Sequence, residues 1–201
     1  WKNTFSVSKD TLIPRPDSET LIENTLKYLP QDENFNFLDL GTGSGCLIIS
    51  ILEEFKNSQG TGIDVSKNAI SIANKNKKNI NNDLNLSFIV HDFFTYDTKG
   101  FDIIICNPPY VAKNELNEIT EEVINFEPHL ALFPKKSTED CYGKIISNIK
   151  LTNNKNCYVF FEIDYRDHVL VSNILKDNDF SVLAAENDLT NRPRCIVAKM
   201  N

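Results

Sequence analysis

The stretch that most constrains the fold is an apolar strand, a glycine turn and an apolar helix in immediate succession. Residues 35–40 read as a strand that runs straight into Gly41-Thr42-Gly43-Ser44-Gly45, and Leu47, Ile48, Ile51, Leu52 and Phe55 then recur at helical spacing. A turn this rich in glycine lets backbone N–H groups come close to a ligand at a helix N-terminus. The same alternation continues along the chain. Further strands are expected at 60–63, 86–90, 103–106, 157–163, 180–184 and 195–199. Helices are expected from a cap at Asp17 or Ser18 to about Pro30, from Ser66 to about residue 79, and over 115–124, 144–150 and 167–176. Strand alternating with helix predicts an α/β doubly wound sheet, and no repeat or linker divides the 201 residues.

The second strand ends in Asp64, about twenty residues beyond the glycines, where a carboxylate can accept from ribose hydroxyls. Gly41 to Gly45 spell G-x-G-x-G, unlike the dinucleotide pattern G-x-G-x-x-G, and no lysine follows to make a phosphate-binding loop. A cofactor with a nucleoside and no phosphate fits better than a plain tight turn, and S-adenosylmethionine has that form. At the tip of the third strand, Asp92 beside Phe93 could hold an adenine by hydrogen bond and stacking. An exposed loop acid ahead of core phenylalanines reads equally well there.

Residues 103–106, apolar throughout, read as a buried parallel strand that Pro108 and Pro109 terminate, since proline cannot donate to a ladder. Asn107 is thereby presented at a strand tip, where open parallel sheets bind ligands. Asn107 and Pro108 offer acceptors for a planar NH2 group, and Tyr110 offers a flat face to stack on it. An Asx-Pro turn closing a core strand is the alternative.

A net charge of -7 argues against broad contact with a phosphate backbone, so no direct nucleic-acid binding is expected. The five cysteines are scattered and form no C-x-x-C pair, as buried thiols in a reducing compartment would be. His91 lacks a partner at ligand spacing, so no metal is expected. No apolar run approaches the ~18 residues of a membrane span. A soluble, cytoplasmic monomer is the expectation.

Taken together, the sequence resembles the release factor glutamine methyltransferases. The likeness is carried by Leu12-Ile13-Pro14-Arg15-Pro16-Asp17 with Glu19, by Leu38-Asp39-Leu40 running into Gly41 to Gly45, and by Asp64. It continues in Asn107-Pro108-Pro109-Tyr110 and in Phe126-Glu127-Pro128-His129-Leu130-Ala131-Leu132. The resemblance implies a class I S-adenosylmethionine-dependent methyltransferase fold: Rossmann-like, seven mostly parallel strands, helices on both faces and a last antiparallel strand. It implies methyl transfer to the side-chain amide of the glutamine in the G-G-Q motif of peptide-chain release factors. Cofactor contacts would then fall on Gly41, Thr42, Gly43, Ser44, Gly45, Asp64, Asp92, Phe93 and Asn107. The catalytic and glutamine-binding residues would be Asn107, Pro108, Pro109 and Tyr110. Residues 1–201 would form one catalytic domain, with 1–16 as a link from a helical domain that the family carries upstream.

Three places depart from the family pattern. Glu162, Asp164 and Asp167 stand where an E-x-G-x-x-Q run is usual, Asn191 stands where glycine is common, and the segment 138–143 looks shortened. The closest rival reading is a DNA or RNA methyltransferase acting on an exocyclic amine, because it needs the same acceptors for the same flat NH2 group. The acidic charge and the P-R-P and F-E-P elements speak against it.

Overall fold

A computed structural model describes residues 1–109, 137–153 and 156–201. Tyr110, the expected helix 115–124 and the segment 126–132 lie outside the described residues. The elements in chain order are α1 (Glu19–Tyr28), β1 (Asn36–Leu40), α2 (Cys46–Glu54), β2 (Gln59–Asp64), α3 (Lys67–Ile80), β3 (Leu86–Val90) and β4 (Ile103–Cys106). They continue with α4 (Thr138–Thr152), β5 (Tyr158–Glu162), α5 (His168–Asp177), β6 (Phe180–Asn187) and β7 (Pro193–Met200).

The seven strands form one sheet in the order β3-β2-β1-β4-β5-β7-β6. β1 to β5 pair in parallel, while β7 enters antiparallel between β5 and β6. This is the class I methyltransferase arrangement, with the last strand reversed. Alternation along the strands divides the core. Phe37, Ile103, Ile105 and Phe160 pack with α1 and α2, whereas Leu38, Leu40, Ile104 and Phe161 pack with α4 and α5. All eight are fully buried, and each such side chain contributes about 1.5–3 kcal/mol relative to exposure. Cys106, Cys141, Cys157 and Cys195 lie in this core as free thiols, and Cys46 is half-buried.

The order reverses between β1 and β4, where the chain leaves β1 toward β2 and β3 and returns on its other side. Leu40 is in register with both Ile63 and Cys106. The residues that follow, Gly41, Asp64 and Asn107, therefore emerge in one row at the carboxyl edge of the sheet. That switch point is where open α/β sheets bind ligands.

Two helix expectations need correction. α4 begins two turns earlier than the sequence spacing indicated, because Ser137 caps it by accepting from Asp140 N at 3.0 Å and Glu139 and Asp140 suit its first turn. The segment 138–143 is thus the start of α4. Neither Asp17 nor Ser18 caps α1, which is preceded by a single 3-10 turn over Pro16–Ser18. Both side chains are engaged elsewhere: Asp17 lies 3.4 Å from the Arg194 guanidinium, and Ser18 contacts Asn107.

Candidate active site

Gly41, Gly43 and Gly45 all adopt left-handed backbone, with φ of 77, 56 and 78°. The loop they shape is closed on protein acceptors. Gly41 N and Thr42 N both donate to Ile63 O, at 2.9 and 2.8 Å, and Gly45 N donates to Thr42 O at 2.8 Å. Gly43 N donates to Asp64 Oδ2 at 3.0 Å, and Ser66 N donates to Asp64 Oδ1 at 2.8 Å. The loop's contribution to a ligand is therefore close backbone approach more than a row of free N–H donors. Gly45 sits beneath the cavity, where a Cβ would come within 2.9 Å of the Phe88 ring.

The loop, the β2 tip and the β4 tip border a cavity of about 230 Å³. Gly41, Thr42, Gly43, Ser44, Asp64, Phe93, Asn107 and Pro109 line it. Three expected residues, Gly45, Asp92 and Pro108, are not part of that lining. Asp92 Oδ1 accepts from Phe94 N at 2.9 Å in an Asx turn, and the Phe93 ring takes the cavity wall. Pro108 is buried, just beyond the end of β4.

A strap that the motif reading left without a role forms another wall of the cavity. Asp10, Thr11, Leu12, Pro14, Arg15 and Ser18 also line it. Asn76 holds the strap's beginning: its Oδ1 accepts from Ser6 N at 2.8 Å, while its Nδ2 donates to Ser6 O at 2.9 Å and to Ser44 O at 2.8 Å. Arg194 holds the strap's end, reaching Asp17 while donating to Ile163 O at 3.0 Å and to Asp188 at 3.3 Å. The sequence signal for the strap was Pro14-Arg15-Pro16-Asp17 itself, whose stiffness suits a fixed wall.

Electrostatics set the site's character. Asp39 is 1% exposed, and its Oδ2 accepts from Thr42 Oγ1 at 2.6 Å while Oδ1 finds no donor among the described residues. Burial, with added repulsion from Asp64, pushes its carboxyl up to about 7 against the Thr42 hydrogen bond. Asp64 is likewise raised by burial, which outweighs the Ser66 and Gly43 bonds. Burial raises the Cys46 thiol to about 11, so it stays protonated at neutral pH.

A nucleoside cofactor bearing positive charge fits these residues. Each oxygen of Asp64 takes one backbone N–H and keeps a second lone pair for a ribose hydroxyl. Phe93 supplies a flat apolar face, and the acids Asp10 and Asp64 suit a cation better than a phosphate. Among the described residues no cluster of His, Cys, Asp and Glu could hold a metal ion, and no helix is long and apolar enough to cross a membrane.

Asn107 stands across the cavity from this pocket, at the β4 tip. Its Nδ2 donates to Ser18 Oγ at 3.2 Å, so its Oδ1 is the atom left for a ligand. At the departures from the family pattern, the chain supplies its own local solutions. Asn191 takes left-handed backbone at φ 62°, the conformation a glycine would have there and one that asparagine tolerates. Asp164 caps the 3-10 turn Tyr165–Asp167 and pairs with Arg166.

Comparison with known proteins places this geometry. The family model described as "Methyltransferase small domain" matches residues 17–130. The release factor glutamine methyltransferase of Fusobacterium nucleatum is 37% identical over 97% of this chain, which spans 55% of that protein. That of Lactococcus lactis is 34% identical over 97% of this chain, which spans 72% of it. The chain thus spans only about half the length of some curated relatives it matches. Among solved structures, a methyltransferase from Pyrococcus furiosus superimposes with a TM-score of 0.67 at 15% identity, covering 97% of this chain and 87% of its own, which bears on the fold alone.

Proposed function

The chain belongs to the release factor glutamine methyltransferases, within the methyltransferase small domain family, and we propose that it methylates the side-chain amide of the G-G-Q glutamine of peptide-chain release factors. The observation that carries this reading is Asn107: a carboxamide with its Nδ2 engaged and its Oδ1 free for a ligand, facing the nucleoside pocket across one cavity. S-adenosylmethionine, when bound, supplies an electrophilic methyl group whose C–S bond breaks with its electron pair going to sulfur.

The chain's own task is to aim the acceptor, because an amide lone pair is delocalised into its carbonyl. Asn107 Oδ1 and the Pro108 carbonyl accept the two amide N–H bonds; the family resemblance assigns the stacking face to Tyr110, which lies outside the described residues. Alignment of this kind can contribute as much as about 7–11 kcal/mol. Transfer leaves an extra proton on the methylated amide, acidic enough to pass to water without a dedicated base. Asp64 orients the ribose, Phe93 covers the base, and the strap with Arg15 and Ser18 shields the cavity from solvent.

Several relatives matched over most of the chain are named for the release-factor reaction, which does not favour the nucleic-acid reading. The test is mass spectrometry of a release factor incubated with this protein and S-adenosylmethionine. One added methyl on the G-G-Q glutamine is expected, and its absence from a release factor that a known relative modifies would refute the reading.

A further inference from the structure

We infer that the β6–β7 turn, with Leu189 and Arg192 set beside Tyr165, is the surface on which the release factor rests while its glutamine enters the cavity. The inference rests on the function proposed above and says where the partner docks. β5 and β6 both run antiparallel to β7, so this turn opens at the same carboxyl edge of the sheet as Asn107. Cys106 is in register with Phe161, which places the β5 tip one strand from the β4 tip, with β7 one strand further. At about 4.8 Å per strand, the two steps amount to roughly 10 Å. A stable interface takes about 800 Å² on each partner, a disc of roughly 16 Å radius. A protein footprint centred on Asn107 therefore reaches the turn.

The turn is held rigidly and presents its side chains outward. Asp188 is buried at its base, where Oδ1 accepts from Thr190 N at 2.8 Å, Thr190 Oγ1 at 2.6 Å and Arg192 N at 3.1 Å. Arg194 fastens the turn to the β5 tip: Ile163 N donates to Arg194 O at 2.9 Å, and Arg194 Nη1 donates to Ile163 O at 3.0 Å. Out of this frame stand Leu189, 98% exposed, and Arg192, whose guanidinium lies 4.8 Å from the centre of the exposed Tyr165 ring. Among the described residues Arg192 meets no carboxylate, whereas Arg166 pairs with Asp164, and Arg194 with Asp17 and Asp188. A leucine this exposed contributes nothing to the core. Holding it on a fixed turn removes the ordering cost that a flexible loop would incur on binding. An uncompensated arginine beside apolar and aromatic side chains, on a chain of net charge -7, suits a protein surface that carries a carboxylate and an apolar side chain. A phosphate backbone would gain little from one cation and a leucine.

The test measures kcat and KM on intact release factor, at saturating S-adenosylmethionine, for Leu189→Ser and Arg192→Gln. Neither side chain lines the cavity or belongs to the core, so urea midpoint and cofactor affinity should match the wild type. Leu189→Ser should raise KM about tenfold with kcat unchanged, as the loss of a buried apolar contact does. Arg192→Gln should raise KM about threefold at low salt, and its KM should depend on salt less than that of the wild type. A wild type that methylates release factor, with KM unaltered in both variants, would overturn the inference and leave the proposed function standing. A wild type that methylates no release factor would refute both. A dimer that Leu189→Ser dissolves, or inhibition by RNA that Arg192→Gln relieves, with KM unaltered in either case, would assign the turn to another partner and overturn the inference.

Discussion

Asp39 gives the sharpest handle on the site's energetics, and the perturbation is Asp39→Asn followed across pH. The wild-type carboxyl moves from 3.8 to about 7 on folding because it is buried with one oxygen lacking a donor. At about 1.4 kcal/mol per pH unit, that shift corresponds to about 4 kcal/mol between the two protonation states. The folded chain holds this proton more tightly than the unfolded chain does. Its contribution is therefore fully present below pH 3.8, declines as pH rises, and is gone above about 7, where the folded state carries a buried charge. Asparagine mimics the protonated form at every pH and also removes the repulsion felt by Asp64. Urea unfolding of both proteins from about pH 5 to 8 should show the variant gaining about 2–3 kcal/mol on the wild type across that range. Asp188 does not blur the comparison. Bonds from Thr190, Arg192 and Arg194 hold it down to about 2, so its contribution is lost only in strong acid. Parallel stability profiles for wild type and variant would refute the burial argument for Asp39.

Three further outcomes follow from the contacts around the cavity. Asp64→Asn should weaken S-adenosylmethionine binding by about 1.5–3 kcal/mol, roughly 10- to 150-fold by calorimetry, because the amide sets a donor against the Gly43 or Ser66 N–H and loses the charge offered to the ribose. Asn76→Ala should destabilise the chain by about 2–3 kcal/mol in urea, since it strands Ser6 N, Ser6 O and Ser44 O, and amide exchange at residues 4–12 should accelerate. Gly62→Ala should cost about 1–3 kcal/mol of stability, because the added Cβ would stand 2.7 Å from the Phe88 ring and 2.7 Å from the Thr42 hydroxyl that serves Asp39. A Gly62→Ala protein as stable as the wild type would show that this corner yields more easily than its packing indicates.

What the sequence made legible follows from range. Strand, glycine turn and helix are signalled by neighbours in the chain, so the seven strands and the row of Gly41, Asp64 and Asn107 could be expected from local pattern alone. Helix caps were harder to read. Asp17 and Ser18 have the side chains of N-caps, yet tertiary partners take both, and local propensity yields to a buried contact. At Asp92 the local pattern shows directly: the backbone N–H two residues on donates to its Oδ1 in an Asx turn that sets Phe93 on the cavity wall.

The strap shows where local reading must stop. Residues 1–13 have no periodicity because they belong to no regular element, and their position depends on Asn76, whose amide reproduces for Ser6 the pair of bonds a neighbouring strand would supply. That pairing spans 70 residues, and the contact from Asn107 to Ser18 spans 89. Asparagine on a helix and serine before one are ordinary residues, so neither announces a partner so distant. Their effect is nonetheless specific. Asn76 fixes one side of the cavity by joining the strap to Ser44 in the glycine loop, and Ser18 fixes the other by joining it to the β4 tip. A polar bond in each place ties the strap to one border of the switch point, so movement of the strap is coupled to both the glycine loop and the β4 tip. In the proposed reaction the cofactor and the acceptor amide must be held at a constant separation, and the strap is the element that spans the two borders.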